Sequence, residues 1–118
     1  MRIGELAAST GVSPRSLRYY EQQGLIASVR TPAGHRRYDA GSVDTVIRVQ
    51  ELFAAGLCSS KIAQLLPCLQ APPAERTPAL LADLVEQRRR LEATEKEIRR
   101  ARGVLEEVID SLRDRDEL

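Results

Sequence analysis

Leu84, Leu91, Ile98, Leu105 and Leu112 stand seven residues apart in a stretch with no proline after Pro78. Seven residues are close to two helical turns, so these side chains form one narrow stripe along a single helix, expected from about Pro78 to Arg115. With this stripe as heptad position a, position d falls on Leu80, Gln87, Thr94, Ala101 and Val108, one seam strong and the other mixed. A chain of 118 residues has little left with which to cover so long a stripe. Pairing with a second copy is the natural solution, which makes Leu80, Leu84, Leu91, Ile98, Leu105 and Leu112 the expected dimerisation residues of a homodimer. The alternative is a solitary charged helix lying on the rest of the chain.

The remaining residues have room for one small core. Aromatic residues make up 3% of the sequence and tryptophan is missing, so burial rests on Leu, Ile, Val and Ala, which favours a mostly α fold. Ile3, Leu6 and Ala7 mark one face of a short helix, and Gly11 stops it. Ser13 as N-cap and Pro14 at the first helical position start a second, from about Pro14 to Gln23, which Gly24 closes. Two short helices joined by Thr10-Gly11-Val12-Ser13 read as a helix-turn-helix. The segment TPAGHRRY, with Pro32 and Gly34 between two short extended pieces, reads as a basic wing. A third helix is expected over Asp39–Ala55 through Val43, Val46, Ile47, Val49, Leu52 and Phe53, with Gly56 as terminator. A fourth, Ser59–Leu69, uses Ile62, Leu65 and Leu66 and should bend or end near Pro67. The organisation is thus a winged helix-turn-helix domain over 1–70, a Pro-rich linker over 71–77 and a dimerisation helix over 78–118.

Net charge is +1, but its distribution is uneven. Between Met1 and Tyr38, six arginines (Arg2, Arg15, Arg18, Arg30, Arg36, Arg37) face only Glu5 and Glu21, which suits a polyanion. On the second helix Arg15, Arg18, Tyr19 and Gln22 recur at helical spacing on one face, while Leu17 and Tyr20 lie on another. Two guanidinium groups, a phenol and an amide pointing outward together can reach base edges and phosphates in a major groove. Arg36 and Arg37, with His35 beside them, belong where backbone phosphates run past a docked wing. Tyr38 can pack its ring under the wing as core while its hydroxyl reaches outward. Lys61, near the start of the fourth helix, is either a phosphate contact or a solvated lysine.

The segments MRIGELAASTGVSPRSLRYYEQQGLI and GHRRYDAGSVDTVIRVQELFAAGLCSSKIAQLL resemble the MerR family of regulators, with LRYYEQQGLI and RRY the most specific parts. The resemblance implies an antiparallel coiled coil for the long helix. It also implies DNA contacts from Arg18, Tyr19 and Tyr20 on the recognition helix and from Arg36 and Tyr38 on the wing, with Arg15 and Ser16 at variable positions suited to operator preference. Members look like activators that bend and untwist a promoter spacer, acting on RNA polymerase indirectly, and a symmetric dimer implies a pseudo-palindromic operator in double-stranded promoter DNA. A repressor or architectural binder on the same fold, or a coiled-coil interaction module, are the alternatives.

Metal-sensing members carry a cysteine near the start of the dimerisation helix and a cysteine loop after it; here Thr77-Pro78 and RDRDEL stand there. No metal and no cofactor are therefore expected. The short form, without an appended effector domain, leaves two options for a signal: entry near residues 66–80, or none. Cys58 and Cys68 are the only cysteines; both are read as small packing residues, with a reactive Cys58 at a helix start as the alternative. No apolar run is long enough for a membrane span or signal peptide, which places the chain in the cytoplasm with no membrane partner. No nucleophile–base pair, phosphate loop or carboxylate pair suggests an enzyme.

Overall fold

The computed structural model describes residues 1–70 and 78–117. Their elements, in chain order, are α1 (Ile3–Thr10), α2 (Pro14–Gln22), β1 (Val29–Arg30), β2 (Arg36–Arg37), α3 (Gly41–Ala54), α4 (Ser59–Gln70) and α5 (Pro78–Glu117). This is the expected mostly α fold, a winged helix-turn-helix followed by a long helix. It divides into two compact units, Met1–Thr77 and Pro78–Leu118. The predicted linker, 71–77, lies outside the described residues.

Local chemistry accounts for the first two helices. Gly11 takes a left-handed φ of 74° and its N–H closes on the Ala7 carbonyl at 2.9 Å, a conformation that costs a Cβ-bearing residue about 1–2 kcal/mol. Ser13 then starts α2, its Oγ accepting the Ser16 N–H at 3.2 Å, with Pro14 at the first position where no N–H is needed. The far end of α2 closes when the Leu25 N–H returns to the Tyr20 carbonyl at 2.9 Å, across Gly24. At α3, Asp39 accepts the Ser42 N–H at 3.0 Å and the Ser42 hydroxyl at 3.3 Å, so the buried serine has a partner.

The wing is a two-stranded antiparallel ribbon in which Val29 pairs with Arg37 and Arg30 with Arg36. Between the strands, the Gly34 N–H donates to the Thr31 carbonyl and the Thr31 N–H to that of His35, each at 2.8 Å. Two apolar clusters lie beneath. Leu6, Val12, Leu17, Ile26, Tyr38 and Val46 form one, joining α1, α2 and α3 under the wing. Leu25, Val49 and Ile62 form the other, between α3 and α4, and Tyr20 packs against both.

One expectation needs correcting. Ile47, assigned to the buried face of α3, is 40% exposed, because that helix directs Val46 and Val49 inward. α4 extends as expected through Pro67, to Gln70, forgoing the ladder bond that a proline cannot donate.

In the second unit, α5 is a single helix of 40 residues, about 60 Å long at 1.5 Å per residue. Pairs at i,i+3 and i,i+4 line it, among them Arg99–Glu95 at 2.9 Å, Arg89–Glu86 at 3.3 Å and Arg102–Glu106 at 3.4 Å. Each is exposed and contributes only tenths of a kcal/mol. No helix among the described residues is long and apolar enough to cross a membrane.

Leu17 is fully buried where α2 meets α1 and α3. Leu17→Ala should therefore destabilise the protein by about 2–5 kcal/mol in chemical denaturation. Arg15→Ala, on the exposed side of the same helix, should change stability by under about 0.5 kcal/mol.

Candidate nucleic-acid interface

The side chains of α2 divide as their spacing requires. Leu17 is inside; Arg15, Arg18, Tyr19 and Gln22 are exposed, and Tyr19 keeps 46% of its surface accessible. Tyr20 points elsewhere. Its ring stacks on Phe53 with centroids 5.7 Å apart, and burial raises the pKa of its phenol. Ser16 is half-buried at the first turn, its hydroxyl accepting from Ser13 Oγ at 3.1 Å, so it completes the helix cap.

The wing brings its cations next to α2. A cavity of about 230 Å³ is lined by Arg2, Ile3, Arg18, His35, Arg36, Arg37 and Tyr38. Four arginines from three separate segments thus line one recess. Tyr38 is only 2% exposed: its ring belongs to the core as expected, but its hydroxyl does not reach outward and is buried, with no hydrogen bond of good geometry among the described residues. Burial raises the Tyr38 pKa, the Glu21 carboxylate adds to the rise, and Arg36 and Arg18 pull it down.

Glu21 is the one acid in this group. Arg36 donates to its Oε2 at 2.8 Å, and the Ser28 hydroxyl donates to Oε1. Its side chain is 18% exposed against 46% for Arg36, so the carboxylate lies beneath the guanidinium. Arg30, across the ribbon, reaches the Gly34 carbonyl at 3.5 Å.

Other sequence-stated residues fall outside this cluster. Lys61 is half-buried in the first turn of α4. Cys58 is exposed just before that helix; a hydrogen bond with Ser60 Oγ, 3.2 Å away, and the Lys61 and Ser60 backbone lower its pKa. Cys68 is half-buried. Of the dimerisation set, Leu80 is buried and Leu84 half-buried, whereas Leu91, Ile98, Leu105 and Leu112 are between 45% and 63% exposed. Val104, Val108 and Ile109 are also exposed on α5.

Arg2 and Glu21 were missed by sequence reasoning. Arg2 precedes the first helix with no spacing to tie it to the recognition face, and Glu21 entered only the charge balance of the N-terminal part. Only the return of the wing onto α2 brings them to the site.

The MerR family regulatory protein model matches residues 2–38, which span α1, α2 and the wing. Nodulation protein NolA of Bradyrhizobium elkanii is 41% identical over 101 residues, covering 85% of this chain and 41% of that protein. Among solved structures, a MerR family transcriptional regulator from Bacillus cereus matches with a TM-score of 0.65 at 25% identity, over 91% of this chain and 78% of the other. Residues 2–38 carry a MerR family regulatory domain match. The fold also matches HiNmlR, a MerR family regulator described as lacking the sensor domain and bound to promoter DNA, with a TM-score of 0.70 at 20% identity over 99% and 93% of the two chains. The chain spans well under half of the NolA proteins it matches, 41% of one and 26% and 24% of two others. MerR regulators are not enzymes, and the candidate site here consists of arginines from α2 and the wing with one amide, Gln22, and one exposed phenol, Tyr19, on α2.

A buried hydroxyl without a partner costs about 1–3 kcal/mol. Tyr38→Phe should therefore leave the free protein as stable as wild type or up to about 1 kcal/mol more stable in chemical denaturation. A loss of more than that would mean the hydroxyl is satisfied in solution.

Proposed function

We propose that this protein is a sequence-specific DNA-binding transcription regulator of the MerR type that works as a homodimer. The observation that carries the reading is the convergence of Arg18 from α2 with Arg2, Arg36 and Arg37 on one recess, beside the exposed face of Arg15, Tyr19 and Gln22. A duplex seated with α2 in its major groove places base edges against that face and backbone phosphates against the wing cations. The buried Tyr38 hydroxyl then has an acceptor, because a phosphate oxygen entering the recess supplies it. His35 at the wing tip adds a further contact; Tyr20 and Ser16 act from behind, Tyr20 by packing against Phe53 and Ser16 by capping α2. Lys61 serves as a backbone contact at the edge of the footprint.

The homodimer forms through α5. Leu91, Ile98, Leu105 and Leu112 lie on one helix and are exposed in the single chain, and an apolar stripe of that length is stable in water only when covered. Antiparallel pairing presents two recognition helices to a pseudo-palindromic operator. The domain division is 1–70 for DNA binding, 71–77 as linker and 78–118 for dimerisation. On promoter DNA the dimer distorts the spacer between promoter elements, the cost being met by contacts made only in the bent complex, and RNA polymerase responds indirectly. The setting is the cytoplasm. HiNmlR, bound to promoter DNA, supports the reading by its shared fold.

The contacts are tested on a duplex selected by the wild-type protein from a random-sequence library. Arg18→Ala should weaken binding to that duplex and narrow its preference over random DNA. Arg36→Ala should weaken both about equally and lower the salt slope by about one. In vitro transcription from a promoter carrying the selected site, with footprinting, then tests spacer distortion: activation with hypersensitivity at the spacer centre is expected, and plain repression would reject that step.

For the dimer, Leu91→Asp with Ile98→Asp buries unpaired charge in the seam at a cost of several kcal/mol. Sedimentation should show wild type as a dimer at micromolar concentration and the double variant as a helical monomer.

A further inference from the structure

Glu21 sits in the wrong place for a simple phosphate-binding surface. It is a carboxylate on the recognition helix, two turns from the cap and directly under a wing cation, where its charge repels DNA. Yet both of its oxygens are held. Arg36 Nη1 donates to one oxygen at 2.8 Å, the Ser28 hydroxyl donates to the other, and the group is mostly covered. Ser28 ends the turn that leads into β1, and Arg36 opens β2. The single carboxylate therefore ties α2 to both ends of the wing.

Arg36 keeps 46% of its side chain exposed while one terminal nitrogen is held. A guanidinium carries five donors in a planar fork, so fixing one edge sets the direction of the rest. The free edge remains for an incoming phosphate, next to the cavity lined by Arg18 and Tyr38.

We infer that Glu21 is a positioning residue for DNA binding: it acts through Arg36, holding the wing and its guanidinium in register with the recognition helix so that both meet the same backbone phosphate. The inference rests on the DNA-binding reading above. Its energetic logic is a trade. The carboxylate repels the duplex at long range, where salt screens it, and orders a flexible arginine at short range, where screening is weak.

The trade gives opposite predictions for bare electrostatics and for positioning. If Glu21 were only a negative charge near DNA, removing it would tighten binding. Positioning requires the reverse. On the duplex selected by the wild-type full chain, Glu21→Ala should weaken binding about fivefold, the equivalent of about 1 kcal/mol. It should lower the salt slope by about one, as Arg36→Ala does, since the same phosphate contact is lost. The double variant Glu21→Ala/Arg36→Ala should bind within about twofold of Arg36→Ala alone, because the two residues act as one unit. Glu21→Gln keeps the shape and the fold, and trades a charge-assisted bond for a neutral one. It should also weaken binding, by less than the alanine variant. Helical content and melting temperature are measured on each protein, so that loss of folded protein is not read as loss of contact. Tighter binding by Glu21→Gln, or full additivity with Arg36→Ala, overturns the inference and leaves the DNA-binding reading intact. Failure of the wild type to enrich any duplex overturns both.

Discussion

Tyr38 ties the first unit together. Its ring fills the centre of the cluster made by Leu6, Leu17 and Val46, and its N–H donates to the Met1 carbonyl at 2.7 Å. Because it follows β2 directly, burying it pulls the wing down onto α1 and α2. Without that anchor a ribbon of two residues per strand would have no reason to stay folded, since isolated hairpins are marginal in water. The recess of arginines exists because this one aromatic residue is inside.

Anchoring by a tyrosine instead of a phenylalanine has a consequence. The hydroxyl is buried, which raises its pKa, beside Arg36, whose charge and hydrogen bonding pull it down, with Arg18 adding to that effect. Glu21 plays the complementary part, holding one edge of Arg36 in place while the rest of the fork stays exposed. The wing thus relates to the recognition helix through one buried ring and one ion pair, the first setting distance and the second orientation.

The two units follow different physics. The first buries a small core in which almost every large apolar side chain has an inside and an outside neighbour. The second is a helix whose intrachain ion pairs support its length but whose Leu91, Ile98, Leu105 and Leu112 stay in solvent. Surface pairs of that strength do not offset exposed leucines. On the dimer reading proposed above, the stability of the second unit would depend on concentration and that of the first would not.

Much of this was legible in the residues alone. Ser13-Pro14, Gly11 and Gly24 dictated where two helices begin and end, through capping and backbone sterics that act over a few residues. The spacing of Leu17 against Arg15, Arg18, Tyr19 and Gln22 divided α2 into an inner and an outer face, and the heptad stripe required a long helix. These are local properties, decided by periods of a few residues, and the chain encodes them directly. What the tertiary structure decided depends on contacts between distant segments: that the Tyr38 hydroxyl is buried along with its ring, that Phe53 is the residue Tyr20 stacks on, and that Ile47 is exposed. The same holds for Arg2 and Glu21, which meet Arg18 and Arg36 only because the wing folds back. Periodicity gives the face on which a side chain stands, but not which segment will cover that face, because that choice minimises the free energy of the whole core and not of any one stretch.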